Sequence, residues 1–152
     1  KSKYLYLWIQ SNNLNDHKDF NMKLFLDDYR DPLDCIKYMH LRIGTLNSIY
    51  NEDWIVVKNY PEFISFMNKN KGKITHVSFD HDLADGHYHD NMQDGILNYD
   101  SEDFNSDDYN KTGFHCAKEL KNLYEKEGLS LPVMFVHSMN PVGTQNIINL
   151  FK

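Results

Sequence analysis

The sequence predicts an α/β fold, a doubly wound parallel sheet of about four strands with helices on both faces. Short apolar runs alternate along the chain with segments of helical periodicity, which is the order of repeated strand–helix units. The runs are apolar at successive residues rather than at every second one, and this is typical of strands covered by helices on both sides. Such sheets bind ligands beyond the carboxyl ends of their strands, so functional residues are expected there.

Four segments have the character of strands. The first strand is predicted over residues 23–26, and Pro32 is interpreted as the residue that closes the turn after it. The other three strands are predicted in the segments DWIVVKNYP, ITHVSFD and LPVMFVHS, which are rich in β-branched and aromatic residues.

Three helices are predicted from apolar spacing and from the residues at their ends. One begins at Pro61 and is closed by Gly72, and a second occupies TGFHCAKELKNLYEKEG. The last helix follows Asn140 as its N-cap, has Pro141 in its first position and runs through Phe151.

Polar side chains follow three of the four predicted strands. Because parallel strands place their carboxyl ends at one edge of the sheet, these side chains are predicted to line one pocket. They are Asp27 and Asp28 after strand one, Asp80, His81 and Asp82 after strand three, and His137, Ser138 and Asn140 after strand four.

Length and composition indicate one domain. The chain has 152 residues, of which 41% are hydrophobic, enough for a sizeable core. Residues 1–21 precede Met22 and are a vector-derived segment, an upstream translation or a genuine extra element. Their apolar stretch is expected to pack against the domain or a neighbouring chain and to bury Trp8. Cys35 and Cys116 are expected to be reduced, structural thiols, because two cysteines without metal-ligand spacing make no disulfide framework.

Location and charge narrow the possible partners. No apolar run approaches the roughly 20 residues of a membrane helix, and the N-terminus lacks the layout of a signal peptide, so a cytoplasmic protein without membrane contact is expected. Residues 80–108 contain nine Asp and one Glu but no Lys or Arg. This segment would repel duplex DNA, and it favours a small phosphate compound or a cation as ligand. The oligomeric state stays open.

Residues 84–111 form a polar, acidic insertion after strand three. A connection of this length is more often functional than decorative. Both ends of the insertion emerge from the predicted pocket, so it is expected to lie over or beside that pocket.

Four motifs, in this order, resemble a known family. They are LFLDDYRDP, SFDHDL, the Thr112-Gly113 pair that opens a helix, and VHSMNPVG. Together they are similar to the cyclic-phosphate-processing receiver domain, a relative of the response-regulator receiver. The resemblance covers residues 22 to about 151 and implies a receiver-like (flavodoxin-like) fold. It also implies an activity on cyclic phosphate groups of nucleotides or NAD-derived metabolites.

The chain departs from the family pattern at three places. The insertion up to Lys111 stands where the family has a handful of residues, and His115 stands where an Asp is common. The chain also ends at Lys152 without an obvious counterpart of the fifth strand of a receiver and its lysine, so a fold truncated at the C-terminus is expected. Without that lysine, simple phosphorelay signalling is disfavoured. His115 is expected to pack.

The aspartates suggest a metal site. Asp27, Asp28 and Asp80 can present hard oxygen ligands to Mg²⁺ or Mn²⁺, and such converging carboxylates would otherwise repel one another. The alternative is that they only form turns and cap helices. Asp82 is either a further ligand or a group that orients His81.

Catalytic roles are predicted for Asp80 and two histidines. In the favoured mechanism the metal ion activates a water, which opens the cyclic ester, and His137, or else His81, protonates the departing sugar oxygen. A metal-free mechanism with histidines as acid and base stays open. A covalent phosphate on Asp80 is a third route.

Four further residues are predicted to bind the substrate. Arg30 either clamps a phosphate oxygen or pairs only with Asp31 or Asp34, and Tyr29 can stack on a base. Ser138 lies where the resemblance implies a hydroxyl that contacts a phosphoryl group. Asn140 caps the last helix, contacts the ligand, or does both.

These roles predict a hydrolase that acts on a cyclic phosphate, a cyclic phosphodiesterase. The alternatives are a protein that binds and sequesters a cyclic nucleotide without cleaving it, and a receiver domain that accepts a phosphoryl group.

Overall fold

The structure, a computed structural model, describes residues 21–43, 48–83, 100 and 110–152. Four strands in these residues form one parallel sheet in the order β2-β1-β3-β4. The strands are β1 (Met22–Leu26), β2 (Ile55–Val57), β3 (Ile74–Phe79) and β4 (Val133–Val136). The predicted fold class, a parallel α/β sheet of receiver type, is therefore confirmed.

Within the described residues, four α-helices and one turn of 3₁₀-helix accompany the sheet. The helices are α1 (Pro32–Ile43), α2 (Tyr60–Asn70), α3 (Gly113–Lys126) and α4 (Pro141–Leu150), and the 3₁₀-helix spans Ser48–Asn51. The predicted helices correspond to α2, α3 and α4. The Asn140 side chain caps α4 as expected, accepting a hydrogen bond from the backbone N–H of Gly143 at 2.9 Å.

Helix α1 corrects the prediction that Pro32 closes a turn. Pro32 is the first residue of α1, where a missing N–H costs no hydrogen bond because the first turn of a helix has no internal acceptor for it. The Asp31 side chain caps the helix, accepting from the backbone N–H groups of Leu33 at 2.9 Å and Asp34 at 3.1 Å. Asp31 and Pro32 therefore form the start of a helix rather than the end of a turn.

Alternate residues of β1 pack on opposite faces of the sheet. Leu24 and Leu26 belong to the larger core, which includes buried residues of α2, α3 and α4. Phe25 belongs to the smaller core on the other face, with Cys35 of α1 and Tyr50 of the 3₁₀-helix. Helices therefore cover both faces, as predicted.

Both cysteines are free and buried, as expected of structural thiols. Burial raises the pKa of the Cys35 thiol to about 12 and raises that of Cys116 well above its ordinary value. Because the thiolate is the reactive form of cysteine, neither side chain is suited to nucleophilic chemistry.

Hydrogen bonds one residue beyond the strands align the functional side chains. The backbone N–H of Asp80 donates to the carbonyl of Leu26 at 2.9 Å, and that of His137 donates to the carbonyl of Phe79 at 2.9 Å. The backbone N–H of Asp27 donates to Val57 at 3.1 Å. The sheet therefore holds Asp27, Asp80 and His137 side by side at its carboxyl edge.

In the part of the chain that the structure describes, no helix is both long enough and apolar enough to cross a membrane. Two predictions lie outside the described residues: the packing of Trp8, and the position of the insertion 84–111 apart from residues 100, 110 and 111.

Candidate functional site

Three aspartates meet at the carboxyl edge of the sheet. One carboxylate oxygen each of Asp27, Asp28 and Asp80 lies within 4.8 Å of the other two. Asp27 and Asp80 are almost completely buried, at 1% and 2% exposure. We call these three residues the acidic cluster. The structure thus brings together three of the four residues that the sequence suggested as metal ligands.

Asp27 is the member of the acidic cluster whose hydrogen bonds are complete. Its Oδ1 accepts from the backbone N–H groups of Tyr29 at 2.9 Å and Arg30 at 2.7 Å. Its Oδ2 accepts from Arg30 Nε at 2.8 Å and faces His137 Nε2 at 3.0 Å. A carboxylate has about four acceptor sites, so Asp27 would have to give up a donor before it could bind an ion directly.

The pKa of Asp27 reflects these partners. Burial by itself would raise the pKa of this carboxyl, but the hydrogen bond and charge of His137 and the backbone N–H groups of Tyr29 and Arg30 lower it below its ordinary value. Asp27 is therefore ionised at neutral pH and acts only as an acceptor.

Asp28 and Asp80 lack such complete partners. Burial first, and then repulsion from Asp80 and Asp27, raise the pKa of Asp28 to about 6. Burial is also the main cause of the raised pKa of Asp80, with repulsion from Asp27 adding to it. Oδ1 of Asp28 and Oδ2 of Asp80 are buried without a hydrogen-bond partner among the described residues. Two buried oxygens at this edge thus lack a hydrogen bond among the described residues.

Arg30 supplies positive charge to the acidic cluster. Besides its bond to Asp27, its Nη2 lies 3.1 Å from Oδ2 of Asp80, an ion pair that does not meet hydrogen-bond geometry. The alternative that Arg30 pairs only with Asp31 or Asp34 is therefore wrong. Its predicted contact with a phosphate oxygen stays a prediction.

His137 is enclosed and has both ring nitrogens engaged. Nε2 lies 3.0 Å from Oδ2 of Asp27, and Nδ1 lies 2.7 Å from the hydroxyl of Ser78. The Phe25 ring stacks on the imidazole at a centroid distance of 4.3 Å, with 7° between the planes. The side chain has no solvent exposure. A direct proton transfer from His137 to a ligand would require one of these internal bonds to open.

His81 lies between two carboxylates. Nδ1 is 2.8 Å from Oδ1 of Asp82, and Nε2 is 2.8 Å from Asp100. Burial by itself would lower the pKa of His81, but the hydrogen bonds and charges of Asp100 and Asp82 raise it to about 9. We call His81, Asp82 and Asp100 the histidine clamp. At neutral pH its imidazole is charged and fully bonded.

The histidine clamp connects the N-termini of α3 and α4 to the end of β3. Asp100 accepts from the Thr112 hydroxyl at 2.7 Å and from Asn146 Nδ2 at 2.8 Å. A Cβ atom on Gly143 would lie 2.2 Å from Cγ of His81, so α4 approaches the ring this closely only because residue 143 is glycine. Asn140 Nδ2 donates to the carboxylate of Asp82 at 3.3 and 3.4 Å.

Asp82 therefore contacts His81 and Asn140, which matches the alternative in which it orients the imidazole. Ser138 is buried, and its hydroxyl accepts from the backbone N–H of Asn140 at 3.1 Å. Tyr29 is 91% exposed beside the acidic cluster. The substrate contacts of Tyr29, Ser138 and Asn140 stay predictions.

Sequence reasoning missed four residues of the hydrogen-bond networks around His137 and His81. Ser78 and Tyr50 lie behind His137, and Asp100 and Asn146 lie around His81. His115 was expected to pack, and it is half-buried as the third residue of a capping box, with Nδ1 accepting from the backbone N–H of Thr112 at 3.0 Å.

The order of the strands, the helices on both faces and the carboxylates at the carboxyl edge define a receiver-like α/β domain with an acidic site. The model of the cyclic-phosphate processing receiver domain matches residues 22–152, so the chain belongs to that family. This confirms the resemblance that the four motifs indicated. No curated protein and no solved structure matches the chain.

Proposed function

We propose that this domain is a hydrolase that opens the cyclic phosphate of a small nucleotide or an NAD-derived metabolite, assisted by a divalent cation. One observation carries the proposal: the acidic cluster keeps two buried carboxylate oxygens, Asp28 Oδ1 and Asp80 Oδ2, without hydrogen bonds among the described residues. Buried carboxylate oxygens are normally hydrogen-bonded or bound to metal, whereas Oδ2 of Asp80 makes only an ionic contact with Arg30 that is not a hydrogen bond. Their arrangement beside Arg30 supports a site that binds a cation together with an anion.

The donor set fits Mg²⁺ or Mn²⁺, which prefer carboxylate oxygens and keep positions open for water and phosphate. Asp28 and Asp80 would hold the ion, and Asp27 would stay engaged with Arg30 and His137. When bound, such an ion neutralises charge on a phosphate oxygen and makes water more acidic.

The reaction adds one water across a phosphorus–oxygen bond. The water oxygen bonds to phosphorus, the bond from phosphorus to one sugar oxygen breaks, and that sugar oxygen gains a proton. Arg30 is held by Asp27 and Asp80, and its positive charge would bind a phosphate oxygen. Ser138 and the N-terminus of α4 would bind another oxygen. The exposed ring of Tyr29 would stack on a base.

The geometry identifies neither histidine as the group that gives a proton to the sugar oxygen. His137 and His81 each have both ring nitrogens in internal hydrogen bonds. The proposal therefore rests on the carboxylates and Arg30, and the roles of His137 and His81 as proton donors stay predictions.

The test is to incubate the protein with a panel of cyclic phosphate compounds, with and without Mg²⁺ or Mn²⁺, and to follow new phosphate species by chromatography. The expected result is a metal-dependent phosphomonoester product. Intact compound recovered after denaturation, with retention by the folded protein, would favour the sequestering protein instead. Acetyl phosphate labelling of Asp80 would favour the phospho-accepting receiver, and Asp80→Asn is the control for that labelling.

A further inference from the structure

We propose that Tyr50 and Ser78 are positioning residues of the candidate site, which act through a buried hydrogen-bonded relay from Tyr50 to Ser78, His137 and Asp27. The inference rests on the proposed function in one respect, namely that the acidic cluster binds a cation. We call the four residues the buried relay. None of them is more than 2% exposed.

Three short contacts connect the buried relay. The Tyr50 hydroxyl lies 2.8 Å from the Ser78 hydroxyl, which lies 2.7 Å from Nδ1 of His137. Nε2 of His137 lies 3.0 Å from Oδ2 of Asp27. The chain of contacts runs from the 3₁₀-helix through β3 and the end of β4 to the end of β1, so it links one face of the sheet to its carboxyl edge.

With His137 neutral, the chemistry of the groups gives the buried relay one direction. An ionised carboxylate only accepts hydrogen bonds, so the proton of the last contact belongs to Nε2 of His137. With a neutral imidazole Nδ1 accepts, and the Ser78 hydroxyl donates to it, whereas an imidazolium would donate from Nδ1 to Ser78. The Ser78 oxygen in turn accepts from the Tyr50 hydroxyl. Each group therefore donates toward Asp27, and the tautomer of His137 is set from both sides.

Packing holds the ring of His137 in the one orientation that the relay needs. Phe25 stacks on its face, and Tyr50 meets it at a centroid distance of 6.4 Å with 79° between the planes. Asp27 links His137 to Arg30, because the same Oδ2 that faces His137 accepts a hydrogen bond from Arg30 Nε at 2.8 Å. Through Asp27, the relay thus positions the guanidinium that lies beside Asp80.

Three variants test the buried relay. Ser78→Ala removes the donor to Nδ1, and Tyr50→Phe removes only the outer hydroxyl while keeping the ring. Tyr124→Phe is the matched control, because Tyr124 is also fully buried and its hydroxyl lies 3.3 Å from the backbone N–H of Gly72, in the other core. Thermal unfolding establishes that each variant is folded, and Tyr50→Phe keeps the test available if Ser78→Ala does not fold.

The first readout is the ¹⁵N signal of His137 in protein labelled at histidine, recorded without metal. The wild type is expected to show a protonated Nε2 and an unprotonated, hydrogen-bonded Nδ1. Ser78→Ala is expected to move the Nδ1 signal toward that of an unbonded imine nitrogen, Tyr50→Phe to move it less in the same direction, and Tyr124→Phe to leave it in place. An unchanged signal in both relay variants, or a wild-type ring protonated at Nδ1, would overturn the relay.

The second readout is the affinity for Mn²⁺ alone, measured by electron paramagnetic resonance. Through Asp27 the relay holds Arg30 against Asp80, which would hold the ion, and loss of such a supporting group lowers metal affinity by about 10-fold. This loss is expected for Ser78→Ala but not for Tyr124→Phe. Unchanged Mn²⁺ affinity in Ser78→Ala despite a shifted Nδ1 signal would contradict the positioning role. A wild type that binds no Mn²⁺ would instead overturn the proposed function, while the ¹⁵N signals would still decide whether the relay exists.

Discussion

The acidic cluster and the histidine clamp lie at the same edge of the sheet and are both rich in aspartate, yet their charges are arranged differently. In the histidine clamp, each carboxylate faces a nitrogen of His81, and Asp100 also accepts from Thr112 and Asn146. In the acidic cluster, Asp28 and Asp80 repel each other, and each keeps a buried oxygen without a hydrogen bond among the described residues.

The directions of the pKa shifts express this difference. Burial would raise the pKa of Asp100, but His81 and the neutral donors lower it below its ordinary value. In the acidic cluster burial and repulsion prevail, and they raise the pKa values of Asp28 and Asp80. A cluster with complete partners stabilises the fold, whereas a cluster short of positive charge is suited to binding a cation. The four predictions that follow test this contrast.

The largest effect is expected from Asp80→Asn on activity. On the proposed function, loss of the carboxylate that would hold the cation at the phosphate should lower turnover on the order of 10³-fold or more. The free energy of unfolding at pH 7 should stay the same or rise, because the substitution removes one charge from a crowded site. Steady-state kinetics and urea unfolding measure the two quantities.

Asp53→Asn is the matched control for this prediction, because Asp53 is exposed and lies outside the acidic cluster. It should change neither quantity. If Asp80→Asn loses activity and stability together, the acidic cluster has a structural role like that of the histidine clamp, and the contrast fails.

The second effect is expected from Asp100→Ala on stability. His81 and Asp100 side chains are each only 6% exposed. Asp100→Ala leaves Asp82 against the imidazole but removes the acceptor of Nε2, Thr112 and Asn146, so the cost should approach the roughly 3–5 kcal/mol of a broken buried pair. The midpoint of urea unfolding at pH 7 should fall accordingly, and Asp53→Ala should leave it in place. A loss below about 1 kcal/mol, the range of an exposed pair, would show that the clamp contributes little.

The third effect is a loss of stability at alkaline pH. The pKa of His81 is raised from 6.5 to about 9 in the folded protein, so the folded state binds the proton more tightly than the unfolded state. This contribution is fully present below pH 6.5 and is lost as the pH rises through about 9, for a total of about 3 kcal/mol. Urea unfolding at several values between pH 6 and pH 10 measures it.

His81→Gln is the comparison variant for the alkaline loss. It should be less stable than the wild type at pH 7, and its stability should decline less between pH 7 and pH 10. Equal declines in the two proteins would assign the alkaline loss to other groups.

The sequence was sufficient to predict the strands and the meeting of their polar ends. Buried parallel strands are apolar on both faces, and their carboxyl ends share one edge, so Asp27, Asp80 and His137 could be placed together without coordinates. Helix α1 was missed because Asp31-Pro32 has the composition of a turn as well as of a helix start.

The partners of the two histidines could not be predicted, for two different reasons. Ser78 is a small polar residue within an apolar strand, and no local pattern shows that it faces His137, which lies 59 positions away in the sequence. Asp100 lies 19 positions after His81 in a segment with many acidic residues, none of which local sequence distinguishes as a ligand of the imidazole. Both contacts depend on tertiary structure alone.

The smallest effect is expected from Asp28→Asn on stability. The pKa of Asp28 is raised from 3.8 to about 6 in the folded protein, so ionising this carboxyl costs more in the folded state than in the unfolded state. The contribution of this carboxyl to the free energy of unfolding is therefore fully present below pH 3.8 and is lost as the pH rises through about 6. Asparagine stays neutral throughout, so without added metal Asp28→Asn should be more stable than the wild type at pH 7.

The gain should be no more than about 1 kcal/mol, because water still reaches part of Asp28 and screens the repulsion. It should disappear below about pH 4, where Asp28 is protonated in both states. At pH 7, saturating Mg²⁺ should make the wild type more stable than Asp28→Asn, since the wild type gains binding free energy and the variant has lost a ligand. Urea unfolding at pH 4 and pH 7, with and without Mg²⁺, gives all four values, and a variant that Mg²⁺ stabilises as much as the wild type would remove Asp28 from the metal site.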